Sequence, residues 1–165
     1  MTEETLSKGE RTREVIMNAA HEIFLEKGFH AASMRQIAKG AGVALGGIYN
    51  HFESKEDIFS AVILAHHPYK QILPLALSAD GDDVETFVHN TGRALVDELK
   101  NHPDFVKLVF IEIVEFSGKH MAELFQEIYP QVLPLLERFQ SGKVRTIPPM
   151  MLMRVFLGTF IAYYL

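Results

Sequence analysis

The sequence predicts an all-α fold, and three observations predict it. Apolar residues recur at three- and four-residue spacing through most of the chain, helix-cap signatures punctuate those stretches, and no run alternates with the period of two that a half-buried strand needs. At 165 residues the chain makes one domain or two small ones sharing a core, and 48% hydrophobic with 22% charged residues is a globular balance that excludes disorder, collagen-like repetition and a low-complexity scaffold. Cysteine is absent, which removes disulfides, thiolate metal sites and a Cys nucleophile together. The start of the chain is polar and acidic where a signal peptide would need a basic start and an apolar run, so a cytoplasmic protein is expected.

The first helix covers residues 12–27, where Val15, Ala19 and Ile23, with Ile16, Ala20 and Phe24 beside them, repeat every four residues. Lys27 followed by Gly28 closes it, and Phe29 can pack back onto it. Ser33-Met-Arg-Gln36 has the form of a capping box and starts a second, short helix that turns Met34, Ile37 and Ala38 inward until Gly40-Ala-Gly42 breaks it. A third helix follows over residues 44–52, burying Ile48 and Phe52 while Leu45, Gly47, Asn50 and His51 look elsewhere. Ser54 caps a fourth, with Glu56 and Asp57 complementing its dipole; it runs through Ile58, Phe59, Val62 and Ile63 to about His66, ahead of Pro68. Past Pro74 and a turn at 79–83, amphipathic helices are expected near 84–100, 103–116, 119–139 and 149–165, the third of these kinked or broken at Pro130 and Pro134. The domain division falls at residues 1–60 and 61–165, with the two halves sharing packing through the fourth helix.

The formal net charge of −5 repels polyanions, so nucleic-acid binding would need a local basic surface. Residues 27–52 supply one: they hold no Asp or Glu, while Lys27, Arg35 and Lys39 are positive and His30 and His51 lie beside them. Two short helices joined by a glycine-containing turn and supported by a longer one form a helix-turn-helix, whose second short helix suits the major groove of duplex DNA. Arg suits guanine, Gln and Asn suit adenine, and Leu suits a thymine methyl, so Arg35, Gln36, Leu45, Gly47 and Asn50 are the candidate base readers. Tyr49 is either a phosphate donor or a core ring beside Phe52, and Ser33 could reach a phosphate while capping.

Phe24-Leu-Glu-Lys-Gly-Phe29, Ser33-Met-Arg-Gln-Ile-Ala38, Ala41-Gly-Val43, Gly46, Ile48-Tyr49, Phe52 and Ser54-Lys55 together carry a family likeness: residues 11–60 resemble the DNA-binding domain of the TetR family of bacterial transcriptional regulators. The resemblance implies phosphate contacts from Tyr49, His51 and Lys55. It also implies a helical second half that forms a homodimer and encloses a small-molecule effector pocket, with no cofactor. Two reading heads on a two-fold axis require a palindromic operator with half-sites about 34 Å apart or a multiple of it. The chain departs from the family's pattern at Ala44, Leu45 and Gly47. Ala44 removes an N-cap worth about 1 kcal/mol, and Gly46 and Gly47 each cost about 1 kcal/mol against alanine, so the recognition helix is expected to order fully only on DNA.

Candidate pocket residues are His66, His67, His89, Arg93, Glu112, Phe116, Tyr129 and Phe156, for each of which the ordinary reading is core packing, or a solvated face for the charged ones. The function read from these residues is a sequence-specific repressor released from its operator by an effector. The alternatives are a DNA-binding dimer without effector control and a helical metal-dependent hydrolase. Against the hydrolase, His66 and His67 are adjacent and therefore diverge by about 100° on a helix, and neither Asp82-Asp83 nor His89, Glu112, Glu115 and His120 have tight metal spacing. Residues 150–165 are apolar but interrupted by Arg154 and too short to span a membrane. Their end lacks any cap or polar tail, so the chain is expected to continue beyond Leu165.

Overall fold

Helix α1 spans Lys8–Ala31 and begins at a capping box: Ser7 Oγ accepts from the Glu10 N–H, and the Glu10 carboxylate accepts from the Ser7 N–H at 2.8 Å. The start is thus a full turn earlier than periodicity predicts. In this computed structural model, which describes residues 7–78 and 84–121 together with 123, 126, 130, 131 and 151, every regular element among the described residues is helical. Gly28 interrupts α1 with φ 76° and ψ 172°, a conformation open essentially to glycine alone. That break turns Phe29 back so that its ring lies 5.8 Å from Phe24.

Which face of α1 is buried differs in detail from the sequence reading. Ile16, Ala20, His21 and Phe24 form the buried ridge, Ala19 and Ile23 are half-buried beside Gly40 of the next helix, and Val15 is 47% exposed. The two candidate ridges are adjacent on the helix surface, and only the packing of neighbours chooses between them. Helix α2, Met34–Gly40, buries Ile37 and Ala38; α3, Leu45–Ile48, buries Ile48; α4, Lys55–His66, buries Ile58, Phe59, Val62 and Ile63. Ser54 Oγ caps α4 by accepting from the Asp57 N–H, and the Asp57 carboxylate reaches back to the Glu53 N–H.

Helix α4 passes through the expected boundary at residue 60 and ends before Pro68. Helix α5, Tyr69–Ser78, starts at once and carries Pro74 inside it, a helix that the proline-rich stretch gave no reason to expect. Helices α6, Val84–Lys100, and α7, Pro103–Phe116, match their predicted ranges. Residues 119–121, 123, 126, 130 and 131 are helical, whereas the expected break at Pro134 and the helix at 149–165, Met151 excepted, lie outside the described residues.

The chain divides into two compact units, Met1–Pro68 with His102–Glu127, and Tyr69–Asn101 with Ile128–Leu165. In the first, α1 packs on α2, α4 and α7, and α2 on α3; in the second, α5 packs on α6. Phe29, Phe59 and Phe116 from α1, α4 and α7 meet edge to face or stacked at 4.7–5.6 Å between ring centroids, which makes α7 part of the first unit's core. No helix among the described residues is long and apolar enough to cross a membrane.

Gly28→Ala is expected to destabilise the protein by about 1–3 kcal/mol, because a Cβ cannot sit at that φ and ψ without strain. A thermal melt reading an unchanged Tm would show that the break in α1 does not depend on glycine.

Candidate nucleic-acid interface

The element with chemical potential is α2, its turn and α3. Ser33 Oγ accepts from the Gln36 N–H at 3.3 Å and donates to Gln36 Oε1 at 2.8 Å. The reciprocal half of the expected capping box is therefore replaced: the Gln36 amide takes the Ser33 hydroxyl instead of the Ser33 N–H. Past Gly40, the Ala41 N–H bonds the Ile37 carbonyl at 2.9 Å, Gly42 turns the chain at φ 66°, and the Val43 N–H returns to the Ala38 carbonyl at 3.0 Å. These three steps fix the angle at which α3 leaves α2.

The expected helix over 44–52 contracts to four α-helical residues followed by a turn, in which the Asn50 and His51 N–H groups bond the carbonyls of Gly47 and Ile48. The cause is visible in the sequence: Ala44 offers no side chain to cap the helix, and Gly46 and Gly47 lower its propensity. Neither glycine is imposed by packing, since a Cβ at either would meet nothing within 4 Å. What anchors the segment is its buried side: Ile48 and Phe52 are buried, and the Arg13 guanidinium of α1 lies 4.6 Å from the centre of the Phe52 ring. Arg13 carries no periodic signal and was not legible as a support.

Ser33, Arg35, Leu45, Gly46, Tyr49 and Asn50 are exposed, and Gln36, Gly47 and His51 are half-buried. Tyr49 is 54% exposed, which disposes of its reading as a core ring. Lys55 behaves differently from the expected phosphate contact. Its ammonium donates to the backbone carbonyls of Phe29 and, at 2.7 Å, Ala32, with His30 O at 3.5 Å, and it lies 4.2 Å from the centre of the Phe29 ring. Burial lowers its pKa, opposed by the nearby Glu115 carboxylate.

The described pocket candidates belong to both compact units. Glu112 is wholly buried and holds His120 twice, accepting from its N–H at 2.7 Å and meeting its ring Nδ1 at 2.7 Å. Phe116 packs on Phe29, Phe59 and His120. Both serve the first unit's core. The His66 ring stacks on His21 with 3.8 Å between centroids and 4° between planes, and His67 meets Phe105 edge to face. Burial, and then the neighbouring His21, lower the His66 pKa, and burial pushes His67 down to about 4. His89 and Arg93 are exposed on α6 of the second unit, and Tyr129 and Phe156 lie outside the described residues, as do Asp82 and Asp83. Among the described residues no three His, Asp or Glu side chains are placed to hold a metal ion.

A short helix, a glycine turn and a second short helix, carried on α1 and α4 with its polar side chains outward, define the class: a helix-turn-helix head. Residues 16–62 match the family model of bacterial regulatory proteins, tetR family. Over 64 residues the chain is 45% identical to the HTH-type transcriptional regulator UidR of Escherichia coli K12, covering 39% of this chain and 33% of UidR. Over 77 residues it is 42% identical to the HTH-type transcriptional repressor BepR of Brucella suis, covering 46% of this chain and 37% of BepR. The match thus spans about a third of the length of these curated relatives.

Two solved structures are similar over most of the chain. NalD, the secondary repressor of the MexAB-OprM multidrug efflux pump in Pseudomonas aeruginosa, superposes with a TM-score of 0.63 at 26% identity, covering 93% of this chain and 84% of NalD. Salmonella enterica GusR gives a TM-score of 0.64 at 26% identity, covering 94% and 82%.

Two outcomes follow for stability. Ala44→Ser combined with Gly46→Ala is expected to raise amide protection of residues 45–51 without DNA and to add about 1–2 kcal/mol, the summed scale of a cap and one glycine replacement. Full protection of that segment already in the parent protein would contradict the account. The second concerns pH. Unfolded histidine binds its proton near pH 6.5 and folded His67 near pH 4, so between these values the unfolded chain holds more protons. Stability is then complete above about pH 6.5 and falls as the pH drops toward 4, with His66 acting in the same sense. His67→Leu should flatten this part of the Tm profile; an equally steep profile in the variant would assign the dependence elsewhere.

Proposed function

We propose that this chain is a sequence-specific DNA-binding transcriptional regulator, a repressor that acts in the cytoplasm as a homodimer on a palindromic operator and is released by a small-molecule effector. The observation that supports this most is the exposed, acid-free set of side chains on α2, its turn and α3, mounted on a packed helical core whose residues 16–62 match the family model of bacterial regulatory proteins. Arg35, Gln36, Leu45, Gly47 and Asn50 read base edges. Tyr49 and His51 donate to phosphate oxygens and set the register, Ser33 joins them by turning its hydroxyl proton away from Gln36 Oε1, and Gly46 lets the backbone come close.

The named relatives are transcriptional regulators, and the hydrolase alternative draws no support from them. Effector binding falls to the second half. Of the described candidates, His66, His67, Glu112 and Phe116 have packing partners in the first unit, and His89 and Arg93 stand exposed on α6 as the residues proposed to meet an effector.

Selection from a randomised duplex pool near physiological salt, followed by a salt titration on the recovered site, tests the reading. A palindromic site bound with steep salt dependence is the expected result, and a folded dimer that enriches no sequence would overturn it. Asn50→Ala should cost about 1–3 kcal/mol at one base-pair position and relax the preference there, whereas Tyr49→Phe should weaken all sites alike. Release of the operator by a compound that also raises the Tm would separate effector control from a dimer without it.

A further inference from the structure

We propose that Lys55 is a positioning residue for DNA reading, its ammonium fixing where α2 begins and making no phosphate contact. The inference rests on the regulatory reading above and adds a division of labour within it.

A lysine ammonium has three N–H donors and accepts nothing. At Lys55 the groups that face those donors are the carbonyls of Phe29 and His30, in the last turn of α1, and of its C-cap Ala32; Phe29 O also accepts from the Ala32 N–H at 3.3 Å. A cation at a helix C-terminus is also favoured by the helix dipole. The Phe29 ring beneath the ammonium adds a further attraction, and Glu115 of α7, which itself holds His30 at 2.9 Å, lies close enough to stabilise the charge.

The location gives these bonds their consequence. Lys55 is the first residue of α4, and Ala32 directly precedes Ser33, the N-cap of α2. One ammonium thus joins the end of α1 to the start of α4 at the point where the chain enters the helix that carries Arg35 and Gln36. Swinging Lys55 outward to a phosphate would take the ammonium from the His30 and Ala32 carbonyls, leave Phe29 O only its bond from the Ala32 N–H, and release the entrance of α2 just when the reading head must hold its register. Geometry therefore separates Lys55 from Tyr49 and Asn50, whose side chains stand exposed.

The test compares Lys55→Met and Lys55→Arg with the parent protein, full chain, on the operator recovered from the randomised pool and on an unrelated duplex, each across a salt series, with Tm as a folding control. Positioning predicts that Lys55→Met loses operator affinity by about tenfold, the scale of one lost base contact, while the salt slope and the binding of the unrelated duplex stay the same. Lys55→Arg should lose affinity too, because a planar fork cannot converge on three carbonyls grouped about one point.

A phosphate contact predicts the reverse: the slope shrinks by about 0.9 in Lys55→Met, both duplexes weaken together, and arginine preserves affinity. That outcome would overturn the proposal, as would unchanged operator affinity in folded Lys55→Met or failure of both variants to fold, which would make the residue structural only. A parent protein that selects no sequence would instead bring down the regulatory reading itself.

Discussion

The packing of four phenylalanine rings, Phe24, Phe29, Phe59 and Phe116, is the interaction on which the rest of the first unit depends. Phe24 and Phe59 meet edge to face at 5.3 Å, Phe29 joins them from the far side of the Gly28 break, and Phe116 brings α7 onto the same cluster. Aromatic rings bury large apolar areas, and their preference for edge-to-face and offset contacts favours particular angles between the helices that bear them. Without the turn at Gly28, Phe29 would follow the helical path and leave the cluster one ring short.

Polar groups then define the rim of this core. The wholly buried Glu112 is held by His120, whose backbone returns to it through the left-handed Ser117 and Gly118 that end α7. Around it, Lys119 meets Glu56 at 2.6 Å and His30 meets Glu115 at 2.9 Å. Exposed pairs such as Lys119–Glu56 add little stability, whereas removing one partner of a buried pair leaves a charge or dipole with no solvent. The buried pair thus ties the turn after α7 back onto α7, and the Lys119–Glu56 and His30–Glu115 pairs link that segment to α4 and α1.

The reading element contrasts with the framework that carries it. Helix α3 has no side-chain cap and two consecutive glycines, and it is held by Ile48, Phe52 and the Arg13 guanidinium instead of by its own propensity. A stiff support under a weakly self-ordering helix lets contacts with a partner complete the order of the segment. Under the proposed DNA-reading role, part of the binding free energy would be spent on ordering the segment.

The sequence by itself determined most of the head. The caps at Ser33 and Ser54, the inward faces Ile37–Ala38, Ile48–Phe52 and Ile58–Ile63, the turn at Gly42 and the ranges of α6 and α7 are set by local spacing and by groups three or four residues apart. The start of α1 was equally local, since Ser7-Lys-Gly-Glu10 carries the capping-box signal. Tertiary structure decided what depends on neighbours distant in the chain. It selected the Ile16–Ala20–Phe24 ridge over the one beside it, drew Glu112 and Phe116 into a core, and turned Lys55 toward carbonyls 23 to 26 residues earlier. A side chain's type and its helical position can be read from the sequence, but a long lysine on a helix end reaches solvent, phosphate or backbone equally well, and only the packing of the surrounding helices determines which.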